Sequence, residues 1–356
     1  MRSGFAGLAL VALVGCTEPG DADSADAGGV GGEGGAAGEG GAGGVGGAGG
    51  VGGEGGAGGV GGGAGGAGGG EPVDIAPGPP DVAAPAAIDA DPGIDPTRGE
   101  CDARYDWVAG LRGWIIDDTG APIEAAKAQA CIYTEPGSVL LCLMPNDSDS
   151  TGVFTIPVPN EARCQSGINM RVLLPASGRA SMYCNADSAD AIVRLREPLV
   201  LFATEPAVSG TGGDFNAARD VVFADGTALK GFVPNDYFGS DPDALGMRRV
   251  DPNARGLCFL NDETPPPAAV LAFYPEGALL EPVDVRLPND LGLAPGSKVI
   301  FSVLGSLDCT LADGTHVPEA EWQDYGTGTV SADGATIDSD PGSGVPCINW
   351  MGYRPM

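Results

Sequence analysis

From Gly28 to Gly70 the chain reads almost entirely as Gly-Gly-x, with Val, Ala or Glu at x. Ordering glycine costs more backbone entropy than ordering any other residue, and this run has no large apolar side chain whose burial would offset that cost. Proline is missing from the x positions, which disfavours a collagen-like triple helix. From residue 71 the composition shifts to Pro, Asp and Ala, with Gly78-Pro79-Pro80, Asp91-Pro92 and Asp95-Pro96. Such a stretch is stiffer and more extended. Residues 16–100 are therefore expected to form a disordered Gly/Pro-rich tether, with an r.m.s. span of about 50 Å if treated as a Gly-rich coil.

The amino terminus is a separate signal. Met1-Arg2-Ser3-Gly4 provides a positive start and Phe5 to Val14 a short apolar run. That run is too short to cross a bilayer as a helix, which needs about 20 residues, so residues 1–15 read as a signal peptide. Leu13-Val14-Gly15-Cys16 resembles the lipobox of bacterial lipoproteins. The resemblance implies cleavage before Cys16, a diacylglyceryl thioether on its sulfur and acylation, such as palmitoylation, of the new amino group. Each buried CH₂ contributes roughly 0.8 kcal/mol, so two or three chains hold a protein firmly on a membrane. Thr17 follows where an inner-membrane lipoprotein of the enterobacterial type carries Asp, which points to the outer membrane.

Charge narrows the partners. The chain has 18 Lys plus Arg against 48 Asp plus Glu, a formal net charge of −30. Phosphate backbones are bound by clustered cations, and the sequence has no such cluster, so a nucleic-acid partner is excluded. The membrane, through a lipid anchor, and an envelope protein or glycan are the partners that fit.

Aromatic residues return after Cys101, at Tyr105, Trp107 and Trp114. Short apolar runs follow at strand-like spacing, separated by Gly, Pro, Asn and Asp. They include Trp114-Ile115-Ile116, Val153-Phe154-Thr155-Ile156, Met170-Arg171-Val172-Leu173-Leu174 and Ala191-Ile192-Val193-Arg194-Leu195. Further on come Val270-Leu271-Ala272-Phe273-Tyr274, Val283-Asp284-Val285-Arg286-Leu287 and Lys298-Val299-Ile300-Phe301-Ser302-Val303-Leu304. No segment shows sustained helical periodicity. The expected fold class is all-β, with two antiparallel β-sandwich units at 101–198 and 199–356. Asp225-Gly226, Asp313-Gly314 and Asp333-Gly334 recur in one phrase that suits hairpin turns and nothing more.

Gly113-Trp114-Ile115-Ile116-Asp117-Asp118-Thr119-Gly120-Ala121-Pro122, followed by Asp149-Ser150-Thr151-Gly152-Val153-Phe154-Thr155-Ile156-Pro157, resembles the carboxypeptidase regulatory-like domain. Asp118 and Gly120 suit the tight turn, Pro122 the next strand entrance, and Phe154 alternates with Ile156 toward one face. The resemblance covers about residues 108–198. It implies a transthyretin-like β-sandwich that is not itself catalytic.

Cys16 aside, eight cysteines remain, and an exported chain permits disulfides. Eight allow 105 pairings. Cys131 and Cys142 flank Pro136-Gly137 and lie opposite each other if those two residues centre a turn, although Pro-Gly suits a two-residue hairpin poorly. Cys164 and Cys184 bracket a turn at Pro175-Ala176-Ser177-Gly178, and Cys309 and Cys347 are positioned to join late strands. Five of the eight precede residue 199 and three follow it, so full oxidation requires at least one bridge between the units. Cys101 to Cys258 is the candidate. No Cys-x-x-Cys pair occurs, which argues against zinc or redox use.

A catalytic set does not assemble from these residues. The single histidine, His316, follows a turn with no Gly-x-Ser-x-Gly phrase to accompany it, and His-Glu-x-x-His needs two histidines. No cofactor or metal is expected, the alternative being calcium in loops, through Asp236, Asp241 and Asp243 or through Asp338 and Asp340. Asp147-Ser148-Asp149 opens like an EF-hand loop, but its twelfth position is Val158 where a bidentate Glu is required. The expected function is a non-enzymatic envelope lipoprotein displaying β-sandwich modules for binding or structural interaction. A calcium-dependent adhesive module and a carboxylate-based glycan hydrolase are the alternatives.

Overall fold

The computed structural model describes residues 74–133, 140–186, 190–260, 263, 265–306 and 308–356. The signal peptide, Cys16, the Gly-Gly-x run and the Pro136-Gly137 turn lie outside the described residues. Within them the fold is all-β, with only short 3-10 turns as helical elements.

The first body is a sandwich of two sheets. One contains β1 (Gly110–Asp117), β4 (Val153–Pro157), β7 (Ile192–Arg194) and β8 (Leu199–Leu201). The antiparallel β4 lies along β1, while β7 and then β8 pair parallel to β1. The other sheet runs β6 (Met182–Asn185), β5 (Gly167–Leu173), β2 (Lys127–Tyr133), β3 (Leu140–Cys142), all antiparallel. Leu111, Ile115, Phe154 and Ile156 face Ala130, Ile132, Met170 and Val172 in the core between them. Since β8 completes the first sheet, this body runs past the expected boundary at residue 198.

Two turns of the first body use the same chemistry. Asp117 Oδ1 accepts from Thr119 N and Ala121 N, each at 2.9 Å, and Asp149 Oδ1 accepts from Thr151 N at 2.8 Å and Val153 N at 3.1 Å. Asp117 rather than Asp118 therefore organises the first turn, and Asp118 pairs with Arg179. Gly152 has φ 78°, and a Cβ there would sit 2.3 Å from the Ile115 carbonyl oxygen, so only glycine fits.

The second body is built on β10 (Ala269–Pro288), which pairs with β9 (Gly246–Val250) and with short strands at 228–232 and 237–239. On its other edge β10 pairs with both β13 (Thr336–Ser339) and β14 (Val345–Pro355). β12 (Trp322–Val330) pairs with β13, and β11 (Lys298–Leu304) joins β12 to β14, so these five strands close into a ring. Leu271, Phe273, Val285, Leu287, Phe301, Ile337 and Tyr353 fill it. In β10, Ala269, Leu271 and Phe273 point into this core, while Val270 and Ala272 point into the core shared with the first body. A strand buried on both faces has no reason to alternate with polar residues, which explains the unbroken Val-Leu-Ala-Phe run.

Trp350, fully buried on β14, joins the two bodies: its Nε1 donates to Ser181 O at 2.6 Å, and its ring meets Phe202 edge-on at 5.7 Å and Phe259 at 5.2 Å. The described residues accordingly form one compact unit. The tether expectation changes here. Residues 75–76 pair parallel with β9, and Ile88 is 0% exposed in the shared core. Asp74, Asp81 and Asp89 pair with Arg248, Arg255 and Arg196. Exposed pairs of this kind contribute about 0–1 kcal/mol each, whereas a buried isoleucine contributes about 1.5–3, so apolar burial is the main anchor of this segment.

All eight described cysteines are bridged. Cys131–Cys142 and Cys309–Cys347 form as expected. The other two exchange partners, giving Cys101–Cys164 and Cys184–Cys258 in place of Cys164–Cys184 and Cys101–Cys258. Strand pairing explains the change. Cys184 lies opposite Met170 on β5, whereas Cys164 precedes that strand and pairs opposite Trp107, close to Cys101. Cys184–Cys258 supplies the link that parity requires. Replacing Ile88 with Ala is expected to lower unfolding stability by about 2–5 kcal/mol in urea titration, whereas a substitution in a free tether would leave the midpoint unchanged.

Candidate functional site

The outer face of the β5–β2 sheet alternates polar with apolar. Gln129, Cys131 and Tyr133 on β2 lie opposite Arg171, Asn169 and Gly167 on β5, and Tyr183 on β6 lies opposite Arg171. A half-exposed sheet would leave such a face in water. Here the second body meets it with Glu276 and Glu319.

Arg171 ion-pairs with Glu276, whose other carboxylate oxygen accepts from Tyr183 Oη at 2.6 Å. Arg171 also lies over the Tyr183 ring, 5.9 Å from its centroid. Burial opposes the Arg171 charge, but Tyr183 and Glu276 together raise its pKa. Burial, and then Glu276, push the Tyr183 phenol well above its ordinary range. Deeper in, Asn169 Nδ2 donates to the Glu319 backbone oxygen at 2.7 Å. The Glu319 side chain is 1% exposed and neither of its carboxylate oxygens has a hydrogen-bond partner. Burial, with Glu276 and Asp308 adding to it against Arg171, pushes its carboxyl up to about 7. One of its carboxylate oxygens and the sulfurs of Cys131 and Cys142 all lie within 4.8 Å of one another.

Above this cluster, a groove of about 900 Å³ opens between the bodies, lined by Arg171, Arg179, Phe238, Asp241, Tyr274 and Glu276 among others. Phe238 is 65% exposed, so an aromatic face is presented beside charged groups. The groove's carboxylates already have protein donors. Glu276 takes Arg171 and Tyr183, Asp241 accepts from Asp243 N at 2.9 Å, and Asp243 accepts from Gly212 N at 2.6 Å and Arg219 Nη2 at 3.1 Å.

The calcium candidates are dispersed. Asp236 ends the 3-10 turn at 234–236. Asp338 pairs with Arg286 at 2.5 Å. Asp340 accepts from Lys298, Thr327 and Thr329, and although burial works against its charge these donors hold its carboxyl at about 2. Among the described residues, none of the five belongs to a cluster of three or more side chains close enough to share a cation. His316 is exposed. Asp225, read as a turn residue, also accepts from Arg249 Nε at 2.6 Å, and Arg249 is fully buried between Asp225 and Asp290.

Glu276 and Glu319 were missed by sequence reasoning. Arg171 was visible as the lone charge in an apolar run, which signals a buried partner, but nothing in Val317-Pro318-Glu319-Ala320 marks Glu319. No protein-family model, curated protein or solved structure matches this chain.

Glu319 has a pKa above its unfolded value, so the folded state retains its proton and stability falls as pH rises from about 4.5 to about 7. That loss amounts to about 3 kcal/mol. Glu319→Gln is expected to remove this slope and to be more stable than wild type above neutrality, as read by urea titration at several pH values. Calcium addition and chelation are expected to leave the melting temperature unchanged, as followed by calorimetry.

Proposed function

We propose that this protein is a lipid-anchored protein of the bacterial envelope, located on the outer membrane, that presents a disulfide-bonded β-sandwich body at the end of a glycine-rich tether. The observation that carries the reading is Cys16 at the junction of a short apolar run and a polar, glycine-rich sequence. Thioether acylation requires a thiol at that point, and small neighbours give a peptidase access to the backbone. Among the described residues no helix is long and apolar enough to cross a membrane, so attachment is assigned to the acyl chains.

The displayed body acts by binding rather than catalysis. Residues 108–198 serve as a carboxypeptidase regulatory-like module, and the groove beside them offers the exposed Phe238 ring and Tyr274 to an envelope protein or glycan. The groove's acids are held by Arg171, Arg219 and backbone amides, which supports a recognition surface over a pair of hydrolytic carboxylates. The fitted partner classes follow from charge, since an acidic surface repels anionic polymers.

Mass spectrometry of the chain expressed in a bacterium is expected to find a diacylglyceryl group on Cys16, and Cys16→Ser is expected to move the chain from the membrane to the soluble fraction. An unlipidated wild-type chain cut at another position would overturn the reading.

A further inference from the structure

We propose that Cys131–Cys142 is a reactive disulfide, opened by a protein dithiol, and that Glu319 is the acid that protonates the sulfur it releases. Three features set this bridge apart. Glu319 carries a carboxyl group 1% exposed, with no hydrogen bond to either oxygen, against both sulfurs of the pair. Placing a carboxyl there without a partner costs folding energy, and the arrangement is explained if the group serves chemistry. The two sulfurs are also unequal, since Cys131 is 0% exposed and Cys142 only partly buried, so an incoming thiolate reaches Cys142 first.

The third feature is the location of the bridge. It joins residues 11 apart in sequence on strands already paired in register, whereas the other three span 38 to 74 residues. Shorter loops constrain the unfolded chain less, so opening this bridge sacrifices the least stability. Around Glu319, the backbone at Ala320 is held at φ 62°, a left-handed conformation that a buried alanine adopts only where its surroundings enforce it.

The step balances as follows. A thiolate of the dithiol bonds to Cys142 Sγ, the Cys131–Cys142 bond breaks, and the electron pair leaves on Cys131 Sγ, which takes the proton of the Glu319 carboxylic acid. The second thiolate of the dithiol then attacks its partner sulfur in the mixed disulfide and releases Cys142 as a thiolate, which is protonated by water. Glu319 regains its proton from solvent. Two electrons pass to the protein, and the dithiol becomes a disulfide. The groups acting on Glu319 are Arg171, which favours ionisation, and Glu276 and Asp308, which oppose it, with Tyr133 and Tyr183 on the facing sheet and Glu321 beside Tyr133. With its carboxyl near neutrality, the acid is available on the lower side of that range.

The test is reduction of the full chain by dithiothreitol from about pH 5 to about pH 9, with alkylation trapping and peptide mass spectrometry to count each opened pair. Cys131 and Cys142 are expected to open before the other three bridges. Their rate constant, expressed per dithiothreitol thiolate, is expected to fall by about a hundredfold as the acid ionises. In Glu319→Gln that fall is expected to vanish. A wild-type profile with no inflection, or opening no faster than at the other bridges, overturns the proposal without any variant. An identical inflection in Glu319→Gln removes Glu319 from the chemistry.

Discussion

Trp350 determines where everything else sits. Its ring is gripped by Phe202 from the first body and Phe259 from the loop after β9, and its indole N–H is satisfied by Ser181 O. A buried tryptophan brings a large apolar area together with one polar atom that must be paired, so it fixes orientation as well as distance. With Trp350 in place, β10 and β14 form a layer between two cores. The polar face of the β5–β2 sheet is then covered instead of solvated.

Covering that face has consequences. Arg171 becomes an interior cation and requires Glu276, and replacing either partner alone would strand the other, a loss of about 3–5 kcal/mol in comparable buried pairs. Glu319 comes in with the same segment, held by its backbone oxygen to Asn169 while its carboxyl is left unpaired. The second buried arginine, Arg249, is handled differently, between two carboxylates with Tyr353 Oη as an acceptor at 3.1 Å. One cluster sets its arginine between two carboxylates and the other retains an orphan acid beside sulfur. The contrast is why the second attracts a chemical reading and the first a structural one.

The acidic surface also has a structural use. Asp74, Asp81 and Asp89 sit where arginines of the body meet them, and Ala76 and Ile88 enter the shared core. Proline and aspartate composition marks residues 71–100 as extended, whereas residues 86–89 turn as a short 3-10 helix. It does not reveal that an extended segment can still be bound along its length, because two isolated apolar residues make no periodic signal.

Local chemistry made much of the fold legible. Strand runs, Asp-Gly turns and the opposed Cys131 and Cys142 follow from side-chain alternation and turn geometry within a few residues, and the parity of the cysteines required a bridge between the units. The pairing of Cys101 with Cys164 and of Cys184 with Cys258 depended on which strand lies beside which, a non-local choice that spacing does not encode. Glu276 and Glu319 became functional candidates only through docking of the two bodies, 105 and 150 residues along the chain from the Arg171 and Asn169 they meet. By itself the sequence determined a disulfide-bonded all-β protein, because those properties are set by composition and short-range stereochemistry. Tertiary structure alone decided which polar face is buried, since burial depends on what the rest of the chain brings against it.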